Sequence, residues 1–173
     1  MKQQSLPTLS CLQATAADIE AVFRIRRASA LDLKKRFGKG HWATFPKRQR
    51  LLDTIEEKSV YIVFRPGVFV ATFRLSEKPP SFFDPKNFSD SQARAAYLTG
   101  LAVDPACQRQ GIGSYCLRRA EEIALNLKCS AIRFDVYDSP AGAAGFYEAC
   151  GFSCRCKATF KGEPLLMFEK VLS

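Results

Sequence analysis

The stretch VDPACQRQGIGSYCLRRAEE, Val103 to Glu122, passes from an apolar strand-like run through two glycines into a segment with helical periodicity. A glycine turn that opens a helix presents unpaired backbone N–H groups at the positive end of the helix dipole, which is a common way to hold phosphate. Which phosphate depends on the residues at set spacings. A nucleoside triphosphate loop ends in Gly-Lys-Ser/Thr, because the lysine neutralises the terminal phosphates. Neither Gly111 nor Gly113 is followed by lysine, so that loop is excluded. The dinucleotide fingerprint G-x-G-x-x-G accepts Gly111 and Gly113 but meets Cys116 where a third glycine would let helix and strand pack closely. Asp135 or Asp138 could imitate the ribose-binding acid of that fingerprint, which keeps an NAD(P)-binding oxidoreductase as an alternative. A third pattern, Q/R-x-x-G-x-G/A, is met in full by Gln108-Arg109-Gln110-Gly111-Ile112-Gly113.

Working outward, the 173 residues suit one domain, 1–173, and a 47% hydrophobic fraction with 14 Phe can fill a sizeable core. No run approaches the roughly 18 to 20 apolar residues of a membrane span. The polar start MKQQSLPTLS lacks the apolar stretch of a signal peptide, so no membrane association and a cytoplasmic location are expected. Seven cysteines, an odd set scattered through apolar surroundings, suit reduced thiols better than a disulfide framework. Cys150, Cys154 and Cys156 cluster, but zinc wants four ligands in recognisable pairs and the one histidine, His41, is far away in sequence, so no metal is expected. The net charge of +9 resides in Arg24 to Arg50, where ten Lys or Arg face one acid, Asp32. Such a block attracts an acidic partner or substrate, or simply solvates a helix face. No aromatic-interleaved basic motif points to nucleic acid.

The element order follows from periodicity and punctuation. A short strand at Ser10 to Gln13 precedes a capping-box-like Thr15-Ala16-Ala17-Asp18 and a helix to about Ala30. Thr44 and Pro46 suit the start of a second helix ending near Lys58. Val60 to Phe64 and Val68 to Leu75 form a hairpin across Arg65-Pro66-Gly67, and Ser76 to Ala95 reads as a long loop. Then come a strand at Tyr97 to Val103, a helix at Ile112 to Leu127, a strand at Ile132 to Tyr137 and a short helix at Ala141 to Ala149. Two closing strands, Phe152 to Phe160 and Leu165 to Leu172, complete the chain.

With Leu101-Ala102-Val103-Asp104-Pro105 before the turn and Gly145-Phe146-Tyr147-Glu148-Ala149-Cys150-Gly151-Phe152 after it, the chain resembles the GNAT superfamily of N-acyltransferases. Three linked motifs in the family's order carry the resemblance, and the element order agrees over nearly the whole chain. It implies an α/β (α+β) fold, with a central mixed, mostly antiparallel sheet of about six or seven strands flanked by about four helices. It implies acetyl-CoA as acetyl donor, transfer to a primary amine of a small molecule or peptide in a ternary complex, and no metal. The cofactor-binding residues it implies are Gln108, Arg109, Gln110, Gly111, Ile112, Gly113 and Ser114 around the pyrophosphate. The backbone of Leu101, Ala102 and Val103 would lie along the pantetheine arm and thioester, and Tyr147 against the thiol.

Tyr147 stands where many members keep a tyrosine that protonates the leaving thiolate, a role suited to a phenol within hydrogen-bond reach. Asp135, twelve residues earlier, matches a glutamate base of certain members. Glu77, Asp84 and Asp90 of the long loop are other candidates for that task. His41 and Trp42, followed by Phe45-Pro46, resemble an acceptor-side segment, and the basic block beside it favours an acceptor bearing an acidic group. One departure is Pro140, where the family often has an asparagine that helps hold the cofactor. Together with the weakly specified base, it leaves a coenzyme A-binding module without transfer activity as an alternative. Homodimerisation is compatible with the resemblance.

Overall fold

The hairpin is the simplest part of the fold to derive. Val60–Arg65 and Val68–Ser76 are runs of β-branched and aromatic residues, and Gly67 takes a φ of 77° at the turn between them. The computed structural model describes residues 8–38, 40 and 44–173, so His41 and Trp42 lie outside the described residues. Its elements are β1 (Ser10–Gln13), α1 (Ile19–Phe37), α2 (Arg48–Glu56), β2 (Val60–Arg65), β3 (Val68–Ser76), β4 (Ala95–Val103), α3 (Ile112–Asn126), β5 (Ala131–Tyr137), α4 (Ala144–Ala149), β6 (Ser153–Phe160) and β7 (Glu163–Val171). The seven strands form one sheet in the order β1-β2-β3-β4-β5-β7-β6. Only β4 and β5 pair in parallel; every other neighbouring pair is antiparallel. A sheet with one parallel pair is not the doubly wound sheet a dinucleotide fold requires.

Three cores hold the layers together. The largest packs the apolar face of α3, with Cys116, Leu117, Ala120 and Ala124, onto β3, β4 and β5. A second lies between α1, α2 and β2, around Val22, Ile55 and Ile62. The third gathers Phe83 and Phe88 of the long β3–β4 connection against Tyr97, Ala131 and Met167. That connection is therefore packed down rather than loose. At its end the Ser89 N–H and hydroxyl donate to Glu169 at 2.9 and 2.5 Å. Arg133 donates to the other Glu169 oxygen at 2.9 Å and to the Asp90 carbonyl at 2.5 Å, and the Phe88 ring lies 4.5 Å from its guanidinium carbon. The Arg133 and Glu169 side chains are only 1% and 2% exposed, so this is a fully buried ion pair.

Among the boundaries that differ from the sequence-based expectation, four have a clear local reason. α1 runs on to Phe37, because nothing after Ala30 breaks a helix until Gly38, which adopts a φ of 78° and donates its N–H to Lys34. α2 begins at Arg48 after an extended Lys47, not at Thr44 or Pro46. β4 begins at Ala95, where the small Ala95 and Ala96 let β5 come alongside. The final short helix starts at Ala144, because Pro140–Gly142 forms a separate 3-10 turn and Ala143 turns left-handed at φ 54°. Among the described residues no helix is long and apolar enough to cross a membrane, and all seven cysteines are free thiols.

Breaking one half of a buried ion pair leaves the other charge uncompensated, which costs about 3–5 kcal/mol. Burial pushes the Glu169 carboxyl up, but the bonds from Ser89 and Arg133 outweigh it and hold the group below the usual glutamate range. Its stabilising contribution is therefore complete above that range and is lost as pH falls through the lowered value. In denaturant titrations, Glu169→Gln is expected to lower stability by about 3 kcal/mol at pH 7. The gap to the unmodified protein should narrow below about pH 4.

Candidate active site

Two parallel strands that start together and then part leave an opening between them. Ala95, Ala96 and Tyr97 sit opposite Ala131, Ile132 and Arg133, and the pairing of β4 with β5 ends there, although both strands continue. The cause lies on the other edge of β4. Thr72 faces Ala102 while Arg74 faces Thr99, so Gly100 and Leu101 together stand against Phe73 in a bulge, with Gly100 at φ 60°. A bulge bends its strand and increases the local twist. The resulting cleft, about 150 Å³, has Leu98 to Leu101 on one wall, Phe134 and Asp135 on the other, and Tyr147 of α4 at its end.

Beyond Tyr97 the edge of β4 that faces β5 has no strand partner among the described residues, while the Gly100 and Val103 carbonyls accept from the Arg26 and Gln108 side chains. Leu101 and Val103 turn their side chains into the main core and Ala102 is buried. Of the three, Leu101 also lines the cleft.

At the end of β4 the chain enters the glycine turn. Asp104 accepts a bond from the Ala106 N–H at 3.1 Å and is tied to Arg24 of α1 at 2.5 Å, which anchors the turn to the opposite layer. Gln108 is extended, Arg109 takes a φ of 62°, and Gly111 a φ of 76° directly before α3. The first helical bond runs from the Tyr115 N–H to the Gly111 carbonyl at 3.0 Å. The N–H groups of Gly111, Ile112, Gly113 and Ser114 are thereby left without helical acceptors, at the positive end of the helix. Side chains in the turn are engaged elsewhere. Gln108 reaches the Val103 carbonyl at 3.4 Å, Gln110 accepts from Arg65 at 3.3 Å, Ile112 is buried, and Ser114 lies 3.7 Å from the Cys150 sulfur. The turn thus offers a backbone cradle with the exposed Arg109 beside it.

Gly113 couples the cradle to Tyr147. A Cβ on Gly113 would come within 2.9 Å of the Phe146 ring, and Phe146 packs edge-on against Tyr147 with centroids 5.0 Å apart. Phe134 and Phe168 hold Tyr147 from the other sides at 4.7 and 6.0 Å. Burial pushes the Tyr147 phenol up to about 12, with Asp135, Cys150 and Cys116 adding to the effect, so it stays protonated at neutral pH. Asp135 follows Phe134 on β5 and therefore points to the opposite face of the sheet. Burial raises its carboxyl above the usual aspartate value against the opposing pull of a backbone hydrogen bond. A protonated phenol on one face and a basic carboxylate on the other can serve two proton transfers at one centre.

The other loop acids are occupied locally. Glu77 pairs with Arg94 at 2.6 Å, Asp84 accepts from the Lys86 N–H at 3.0 Å, and Asp90 accepts from the Gln92 N–H at 2.8 Å. Pro140 opens the 3-10 turn after β5, where Gly142 is required because a Cβ there would collide with the Tyr137 carbonyl. Among the described residues no group of three or more His, Cys, Asp or Glu could hold a metal ion. Five contributors to the site were not anticipated from sequence: Leu98, Thr99, Gly100 and Phe134 in the cleft walls, and Arg26 of α1, which donates to the Gly100 carbonyl at 3.3 Å. A lone glycine inside an apolar strand is the available signal for such a bulge.

Residues 23–152 match the profile of the Acetyltransferase (GNAT) family. A thialysine N-epsilon-acetyltransferase from Bos taurus is 35% identical over 65 residues, a match that spans 38% of this chain and 38% of that protein. A GNAT family acetyltransferase from Listeria monocytogenes superposes with a TM-score of 0.76 at 18% identity, covering 95% of each chain. YncA from Salmonella typhimurium, solved with its cofactor acetyl-CoA, superposes with a TM-score of 0.71 at 16% identity, covering 96% of this chain and 95% of that one.

Because Gly113 leaves no space for a side chain, Gly113→Ala should displace Phe146 and weaken coenzyme A binding on the order of tenfold, about 1.4 kcal/mol by calorimetry. Gly145→Ala is the control, since a Cβ there meets nothing within 4 Å, and its affinity should be unchanged.

Proposed function

The chain belongs to the Acetyltransferase (GNAT) family, and on that footing we propose that it transfers an acetyl group from acetyl-CoA directly to a primary amine of a small molecule or peptide. The observation that carries this reading is the cleft between β4 and β5, lined by Asp135 on one wall and Tyr147 at its end, with β4 running on into the glycine turn. The bovine relative supports a small amine as acceptor, since its name places acetyl transfer on the ε-nitrogen of thialysine.

In this reading the amides from Gly111 to Ser114 hold the pyrophosphate and the free edge of β4 aligns the pantetheine arm. A β4 N–H directed at the thioester carbonyl stabilises the oxyanion as the amine attacks. The amine lone pair forms the C–N bond, Asp135 takes the proton released from nitrogen, and the C–S bond breaks. Tyr147 donates its proton to the departing sulfur and afterwards recovers one from solvent. Both reactants are held together, so no enzyme nucleophile is needed and the thiols keep no part in the chemistry. Seven free thiols suit a reducing compartment, and the cytoplasm is the compartment we propose. A coenzyme A-binding module without transfer remains the competing reading, resting on Pro140, and predicts no thiol release with any amine.

Free-thiol release from acetyl-CoA across a panel of primary amines separates the two. Tyr147→Phe is expected to lower kcat about a hundredfold, the scale of general acid catalysis, while KM for acetyl-CoA moves little. Asp135 must be ionised to act, so kcat should fall as pH drops through its raised value, above the ordinary 3.8. That acidic limb should vanish in Asp135→Asn. No alkaline limb from Tyr147 is expected until pH approaches about 12.

A further inference from the structure

Four of the ten cations in the strongly basic α1–α2 region have an acidic or aromatic partner among the described residues. Arg24 binds Asp104, Arg36 binds Asp32, Arg48 binds Glu20, and Arg27 lies over the Phe45 ring. Arg26 is different. Its guanidinium lies against Gly100 at the bulge, in space that exists only because Gly100 has no side chain, since a Cβ there would collide with Arg26 Nη1. It is half-buried, and its one hydrogen bond among the described residues goes to the Gly100 carbonyl. No carboxylate pairs with it among the described residues. The charged neighbour it feels is a second cation, Arg50 of α2, itself exposed and without an acidic partner among the described residues. Burial, and then Arg50, hold the Arg26 pKa below the usual arginine value.

A partly desolvated cation that meets only like charge is unfavourable until an anion is placed beside it. The guanidinium carries five donors in a planar fork, and one of them is used. Its place is also specific: Arg26 bonds Gly100, which lines the cleft, and α1 packs on β3 and β4 and contacts the Pro140–Gly142 turn that follows β5. Asp135, on the far wall, is not among the groups acting on Arg26. We propose that Arg26, assisted by Arg50, is the seat for a carboxylate carried by the acceptor, so that the substrate is an amino carboxylate whose amine and acid are separated by a spacer. This rests on the acetyl-transfer reading: the fork of Arg26 holds the acid end beside Gly100, and the amine end reaches Asp135 and the thioester.

The test is kinetic, with a binding arm. Unbranched ω-amino carboxylates from glycine to ε-aminocaproate are each compared with the alkylamine of equal carbon number in the thiol-release assay. At least one amino carboxylate should exceed its alkylamine about tenfold or more in kcat/KM, the scale of a charge-assisted hydrogen bond. Arg26→Met should erase that ratio by raising KM, Arg26→Lys should retain part of it, and Arg50→Gln, at an exposed position, should reduce it severalfold. Thermal shift with the N-acetyl amino carboxylates, in the presence of coenzyme A, reads the seat without chemistry. Alkylamines turned over as well as amino carboxylates, with ratios unmoved by Arg26→Met and Arg50→Gln, would overturn the carboxylate seat and leave acetyl transfer standing. Amino carboxylates that bind in an Arg26-dependent way but are never acetylated would leave the seat standing and overturn acetyl transfer. Neither turnover nor Arg26-dependent binding would overturn both.

Discussion

Everything functional in this protein depends on β4 and β5 parting after a short parallel start. Continued pairing would satisfy the backbone groups of β4 and close the space where Tyr147 and Asp135 meet. The separation has two local supports. On the β3 side, Gly100 and Leu101 crowd two residues against Phe73 and bend β4. On the β7 side, Arg133, the last β5 residue opposite β4, is drawn to Glu169 and the Asp90 carbonyl, so β5 stays fastened to β7 and to the long connection. The free edge of β4 is thus produced by structure on both sides of it.

The glycine turn and the cleft behave as one unit because they share packing. Arg24 and Asp104 tie the turn to α1, and Gly113 admits Phe146, which in turn seats Tyr147. The apolar rings around Tyr147 raise its pKa by removing water, and that same dry wall keeps it a proton donor. Asp135, one residue from Phe134 and on the opposite face, has a carboxyl that burial raises above the usual aspartate range, which suits the base role proposed for it. A strand two residues out of phase would leave this division intact; a shift of one would reverse it.

Much of the fold was legible because periodicity and punctuation agreed. The hairpin, the helix after Gly111 and the closing strands all lie within a few residues of where apolar spacing places them. The boundaries that moved did so for local backbone reasons, as at Pro140–Gly142, where Gly142 nests on the Tyr137 carbonyl five residues earlier. The long β3–β4 connection read as an open loop because its prolines mask what its phenylalanines do. Phe83 and Phe88 bury themselves only once Tyr97, Ala131 and Met167 have been assembled from three strands.

The sequence by itself determined the local chemistry: a glycine turn opening a helix, an apolar strand before it, a tyrosine in a short aromatic helix, and one strand, helix, strand unit in the order of elements. Those features depend on residues close together in the chain, where spacing and backbone preference decide the outcome. Only the tertiary structure decided that Asp135 lies in the cleft while Glu77, Asp84 and Asp90 are held by local partners, and that Arg26 lies against Gly100 with no acidic partner among the described residues. Charge partners are chosen by distance in space, and a bulge of one residue in β4 is enough to bring together groups that the chain keeps 74 positions apart.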